Sequence, residues 1–254
     1  MKYNKFLGEI KRLSGTVNPV ITENIDFKIL KDLEVYEKTR LPSKRNEVFK
    51  FTTNEKTFAV KRYSEKRAPH EYHTLKLVHE KGLQVPKPLV LIDDNVLITE
   101  FIEGSNLCDQ LNSTLDITYS SRLANWFFRL HSSFRRNHFS MVKSESILRN
   151  FLDSGQGLFG LDFEFSHYGD PLRDIGEMCA SIMDTHPMFT DEKLKICKEL
   201  IHSYNNQMGE QSSHDITCWI AKALEKTGIQ RPRQKKILKE KANEIRRGKI
   251  NLVK

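Results

Sequence analysis

Apolar positions along this chain switch repeatedly between helical and strand periods. Residues 2 to 13 set Phe6, Ile10 and Leu13 on one face of a short amphipathic helix. From about 27 to 63 the pattern turns to short strands. V-F-K-F-T-T (48–53) and T-F-A-V-K-R-Y (57–63), parted by Asn54-Glu55-Lys56, predict a hairpin. A helix is predicted from about 70 to 81, with Tyr72, Leu75, Leu77 and Val78 as its apolar side. P-L-V-L-I (88–92) and N-V-L-I-T-E-F-I (95–102) then predict two more strands about a tight Asp93-Asp94 turn. After Gly104 the pattern becomes helical. A buried helix over about 117–134 is followed by a loop with two short strands over about 140–163, and by helices over about 171–186, 190–208, 214–227 and 233–247. Trp126, Phe127 and Phe128 read as core. This order predicts an α+β fold in two lobes: a small β-rich lobe with one helix over residues 1–99, and a larger helical lobe over 100–254.

Composition narrows the class. A chain of 254 residues can bury a core without disulfide or metal staples. No window approaches the roughly eighteen consecutive apolar residues of a spanning helix, and charge interrupts M-K-Y-N-K-F-L-G-E-I-K-R too often for a signal peptide. Cys108, Cys179, Cys197 and Cys218 form no C-x-x-C pair, so reduced thiols in a cytoplasmic protein are expected. The net charge of +8 is unevenly spread. Residues 230–254 carry ten basic side chains against Glu240 and Glu244, so the rest of the chain is balanced. A basic appendix on a neutral body points to a polyanionic partner, nucleic acid before membrane. Residues 231–247 can form a helix that docks through Leu238, Ala242 and Ile245. Arg231, Lys235, Lys236, Lys239, Arg246 and Arg247 would then face solvent and an RNA backbone.

Four residues in separate motifs carry candidate chemistry. They are Lys61 in F-A-V-K-R-Y, Glu71 on the following helix, Asn150 in I-L-R-N-F-L and Asp162 in G-L-D-F-E. An ammonium, a carboxylate to hold it and two oxygen donors for magnesium are what phosphoryl transfer from a nucleotide requires. With T-E-F-I-E-G-S-N-L (99–107) and G-D-P-L-R-D-I-G (169–176), these motifs resemble the protein-kinase-like superfamily in its small atypical branch. That branch includes aminoglycoside phosphotransferases, choline kinases, RIO kinases and the KEOPS-complex kinase. The resemblance runs from about Ser43 to Ile182.

The resemblance implies a two-lobed kinase-like fold that uses Mg2+ and ATP or GTP. Lys61 would bind the donor phosphates, with Glu71 as its helix partner. Ser43, Lys44 and Arg45 would cover the phosphates, and the backbone of Glu100 to Ile102 would meet the base. Asn150 and Asp162 would hold the metal, and Asp174 would brace the catalytic loop. Two departures stand out. Glu145 occupies the position of the family's catalytic aspartate, five residues before Asn150, and the 43–50 segment has no glycine. Lys143 and Ser144 are the nearest alternatives for orienting the acceptor.

For the acceptor, the basic tail opposes polycationic aminoglycosides. The atypical kinase motifs together with the basic C-terminal helix resemble archaeal RNA kinases, which phosphorylate a ribose 2′-hydroxyl of tRNA. The expectation is therefore a monomeric tRNA kinase that needs no membrane. The alternatives are a RIO- or KEOPS-type protein-serine kinase, a small-molecule kinase and a non-catalytic nucleotide-binding pseudokinase. Gly155-Gln156-Gly157-Leu158-Phe159-Gly160 matches a dinucleotide-binding pattern but lies between two short strands, where a turn is expected.

Overall fold

A computed structural model describes residues 5–15, 21–24, 33–209 and 213–252. The start of the predicted N-terminal helix (2–4), residues 27–32 of the strand-rich stretch and the basic Lys254 lie outside the described residues. The chain divides at Glu103/Gly104 into two compact units.

In the first unit, α1 (Lys5–Ser14) precedes β1 (Ile21–Asn24), β2 (Val35–Leu41), β3 (Glu47–Thr53), β4 (Thr57–Arg62), α2 (Ala68–Glu80), β5 (Pro88–Ile92) and β6 (Val96–Glu100). The strands form one antiparallel sheet in the order β1-β5-β6-β4-β3-β2. Alternation does the sorting. Phe51, Phe58, Val60, Val90 and Ile98 enter a core that Ile10 and Leu13 of α1 complete. The β3–β4 turn closes through Thr53, whose hydroxyl donates to Lys56 O at 2.6 Å. Between β5 and β6, Asp93 and Asp94 both have positive φ (49° and 53°), and Asn95 N–H closes the turn on Ile92 O at 3.1 Å. Helix α2 starts two residues before its predicted boundary, because Pro69 favours the first turn. Leu77, expected on its apolar side, is 50% exposed; only Val78 of that pair is buried.

The second unit is helical. It contains β7 (Ser105–Asn106), α3 (Leu107–Thr114), α4 (Thr118–Ser133), β8 (Ser140–Val142), β9 (Phe151–Ser154), β10 (Gly157–Gly160), β11 (His167–Gly169), α5 (Leu172–Asp184), α6 (Asp191–Met208), α7 (Ser213–Gln230) and α8 (Lys235–Arg246). Helix α3 is capped by Asn106, whose side chain accepts the Cys108 N–H at 3.0 Å. Helix α4 packs on α6, and α5 on α7. Gly176 permits that second approach, since a Cβ there would lie 2.5 Å from Trp219 Cβ. The glycine-rich 155–160 stretch is the β9–β10 hairpin, with φ of 125° at Gly157. Gly160 is needed because a Cβ would strike the Trp126 ring at 2.2 Å. Trp126, Phe127, Phe151 and Phe163 form the aromatic core beneath this hairpin. Three strands, not two, fill 140–163 and a fourth follows, with β8 pairing β11. The four cysteines are free thiols. Among the described residues, no helix is long and apolar enough to cross a membrane.

Candidate active site

Lys61 lies one residue beyond core-facing Val60 on β4, so its side chain leaves the opposite face of the sheet. There its Nζ donates to Glu71 Oε2 on α2 at 2.8 Å. The Tyr63 hydroxyl donates to the same carboxylate oxygen, and the Lys61 ammonium sits 4.7 Å from the Tyr63 ring centroid. Glu71 is 3% exposed. An ion pair this buried costs desolvation, and its value lies in fixing the position of the ammonium.

Ser43, Lys44 and Arg45 form the exposed β2–β3 turn. Next to them, buried Asn46 anchors the turn by accepting the Ser64 N–H at 3.2 Å. At the expected base-binding stretch, Glu100 still belongs to β6. Its N–H donates to Lys87 O at 3.0 Å, and its own carbonyl accepts the Thr99 hydroxyl at 3.0 Å. Phe101 N–H is likewise committed to Thr57 O at 3.3 Å. Ile102 N–H makes no backbone hydrogen bond among the described residues. Ile102, more than Glu100, therefore has backbone polarity to offer a ligand.

In the second unit, register brings Asn150 and Asp162 together. Gly160 pairs with Phe151, and Leu161 N–H donates to Asn150 O at 2.8 Å, so Leu161 stands opposite Asn150 and Asp162 is the next residue along. Asn150 Nδ2 donates to Glu145 O at 2.9 Å, which turns its amide oxygen the other way. Asp162 has φ of 64°. One of its carboxylate oxygens lies within 4.8 Å of one on Glu164, a residue the sequence reading passed over. The signal was present: a second carboxylate two residues on, in L-D-F-E. These amide and carboxylate oxygens are hard donors of the kind magnesium takes. The hairpin is itself tied to α4, because Asp153 accepts the Tyr119 hydroxyl at 2.8 Å and two Arg122 donors at 3.0 and 2.5 Å.

The loop from Lys143 to Ser146 is built around Asp174, fully buried at the start of α5. Asp174 accepts the N–H groups of Lys143 at 2.7 Å and Ser144 at 3.0 Å, and the Ser146 hydroxyl at 2.7 Å. It also meets His131 Nε2 at 3.1 Å, while Tyr204 OH lies 2.8 Å from His131 Nδ1. Glu177 accepts the Ser146 N–H at 3.0 Å. Burial opposes the charge on Asp174, but the His131 contact and the Ser146 and Lys143 hydrogen bonds outweigh it. The carboxyl is held below its usual range. This lattice supports left-handed backbone at Ser144 and Glu145, φ 58° and 48°. Such conformations cost roughly 1–3 kcal/mol each and persist where the surroundings over-determine them.

Lys143 and Ser144 are both unsuited to orient an acceptor. Lys143 is fully buried; its Nζ donates to Asp162 O at 3.2 Å between the Phe151 and Phe163 rings. Ser144 is 2% exposed, with its hydroxyl 3.3 Å from His167 Nδ1.

On the basic helix, Leu238, Ala242 and Ile245 are buried as the periodicity predicts. The helix is shorter than 231–247 because Pro232 opens a tight 3-10 turn ahead of it. Two of the six cations are committed within the unit. Arg231 donates to Asp184 O at 3.2 Å, and Arg246 grips Glu225 through two bonds of 2.5 and 2.7 Å. Lys235, Lys236, Lys239 and Arg247 are exposed.

The RIO domain family model matches residues 23–127, less than half of the chain. No curated protein matches in sequence. Among solved structures, the chain is similar to an ethanolamine kinase of Plasmodium vivax, at 11% identity and a TM-score of 0.61 over 88% of this chain and 87% of that one. A choline/ethanolamine kinase family protein from Mesorhizobium loti follows at 15% identity and 0.59, covering 85% and 87%. A spectinomycin phosphotransferase in complex with ADP and spectinomycin gives 10% identity and 0.57, covering 85% of each chain. Together with the β-rich and helical units, these likenesses show the fold: the chain shares the α+β kinase-like fold of these proteins.

Proposed function

We propose that the protein is a kinase that moves the γ-phosphate of ATP or GTP to a hydroxyl, with a ribose 2′-hydroxyl of tRNA as the acceptor. The observation that carries phosphoryl transfer is the Lys61–Glu71 pair at 2.8 Å. An ammonium held by a buried carboxylate is a preorganised charge for the donor phosphates, and positioning with electrostatics is nearly all that this chemistry asks of a protein. Ser43, Lys44 and Arg45 cover the phosphates in this reading, and the backbone at Ile102 meets the base. Asn150 and Asp162, joined by Glu164, supply the oxygens for Mg2+. When bound, the ion offsets negative charge on the transferring phosphate. Glu145 orients the acceptor hydroxyl and takes its proton as the γ-phosphorus bond to the leaving oxygen gives way to one with the ribose oxygen.

The exposed cations of α8 support the choice of acceptor. Three solved proteins of like fold are named for choline, ethanolamine and spectinomycin, which carry amine or ammonium nitrogens. Lys235, Lys236, Lys239 and Arg247 instead present positive charge on a docked, rigid helix. Such a track suits phosphates and fixes register without reading bases.

The test is incubation with γ-labelled ATP or GTP and Mg2+, with total tRNA, total protein and sugar pools in parallel. Label in tRNA supports the reading. Label confined to protein or sugars overturns the acceptor, and no label in any pool overturns phosphoryl transfer.

A further inference from the structure

A second feature of the helical unit lies at the entrance to the Lys143–Ser146 loop. After α4 the chain makes a tight turn in which Arg136 and Phe139 exchange backbone hydrogen bonds of 2.8 and 3.0 Å, with φ of 55° at Asn137. Residues 135–139 are all exposed, and Phe139 keeps 57% of its surface in solvent. An aromatic ring left open on a short, hydrogen-bonded turn offers a face and an edge for stacking. Tyr168, 43% exposed on the neighbouring strand β11, carries the Arg136 guanidinium 4.3 Å from its ring centroid.

A cavity of about 290 Å3 opens beside this turn, lined by Arg135, His138, Phe139, Asp170, Tyr204 and Asn205 among others. Both oxygens of Asp170 are already engaged, one by Leu172 N–H at 2.9 Å and one by Trp219 Nε1 at 2.7 Å. Arg135 and His138 set basic groups at the rim, beside the Asp170 carboxylate. The cavity is at the lower limit of small-ligand pockets, which run from roughly 300 to 1,000 Å3. That size suits one base and excludes a helix of nucleic acid. The ribbon also connects the surface to the loop. Strand β8 runs directly into Lys143, and His167, one residue before Tyr168, contacts Ser144.

We propose that this turn and cavity seat one unpaired nucleotide of the RNA acceptor. Its base lies against Phe139 beside the Arg136–Tyr168 stack, and its phosphates meet Arg135, Arg136 and His138. Proteins read unpaired RNA bases by stacking them on aromatic rings and guanidinium planes. The inference rests on the RNA reading of the acceptor and adds a preference for single-stranded segments that α8 alone does not supply.

The test measures fluorescence anisotropy of a labelled single-stranded RNA of mixed sequence, and of the same strand annealed to its complement, with the full chain. Phe139→Ala is expected to weaken single-strand binding about 5- to 100-fold. Its salt slope should equal wild type, its duplex binding should be unchanged, and Phe139→Trp should restore affinity. Tyr168→Ala acts in the same sense. Because Phe139 is exposed, the melting temperature should not move. Joint replacement of Lys235, Lys236 and Lys239 by Glu should weaken both RNA forms and lower the salt slope. If Phe139→Ala and Tyr168→Ala bind the single strand as wild type does while the α8 variant is weakened, the seat is wrong and the RNA reading stands. If the wild type binds neither RNA form, both fall.

Discussion

The two units hold their candidate chemistry in different ways. In the sheet unit, Lys61 donates to the Glu71 carboxylate, which also accepts the Tyr63 hydroxyl. In the helical unit, the Lys143–Ser146 loop hangs from a buried lattice in which one aspartate meets two backbone N–H groups, a serine and a histidine. A single pair positions a charge but leaves the backbone to the sheet. A lattice shapes the backbone itself and makes strained φ values at Ser144 and Glu145 tolerable. Damage to the first should therefore cost activity before stability, and damage to the second should cost both together.

The largest effect is expected from Asp174→Ala, which leaves several buried donors unsatisfied and should destabilise the protein by about 3–5 kcal/mol, with phosphoryl transfer lost alongside. Denaturant unfolding measures it. Asp174→Asn sharpens the point through pH. The native carboxyl is held below its usual range while the unfolded one titrates near about 3.9. The unfolded state thus takes up the proton first on acidification, and the charge's contribution is full above that value and fades as pH falls past it toward the native one. The stability gap between wild type and Asp174→Asn should narrow below about pH 4.

Glu71→Gln comes next. Turnover should fall about 100-fold, since a misplacement of about 1 Å has that cost. Stability should fall by only about 1–3 kcal/mol, because the amide keeps a partner for Lys61 and Tyr63. Equal losses of activity and stability at Glu71 and Asp174 would erase the contrast. The smallest effect is at Leu77→Ala. Half exposed on α2, it should change stability by no more than about 0.5 kcal/mol, where a core leucine would cost about 2–5.

That difference also explains what the amino-acid sequence could reveal. The Lys61–Glu71 pair was legible because its motif sets a strand lysine beside the helix that follows, while Asn150 and Asp162 were singled out by the resemblance of their motifs. The buried face of α8 followed from a spacing of three and four residues. Lys143, by contrast, stood in the sequence only as an alternative for orienting the acceptor. Only the fold encloses it between Phe151 and Phe163 with its ammonium on Asp162 O. His131, Glu177 and Tyr204 were equally silent, since their partners lie 31 to 73 residues away. Arg231 and Arg246 were read as solvent cations because sequence records charge but not the carbonyl or carboxylate that meets it. Leu77 failed for a simpler reason: helical period assigns a face, and not whether anything covers it.

Asp162→Ala tests the central claim most directly, in a γ-label transfer assay on total tRNA with thermal unfolding alongside. The account expects wild-type protein to label tRNA, and the variant to fold normally while losing at least about 100-fold in rate. A folded Asp162→Ala protein that labels tRNA at the wild-type rate would contradict it.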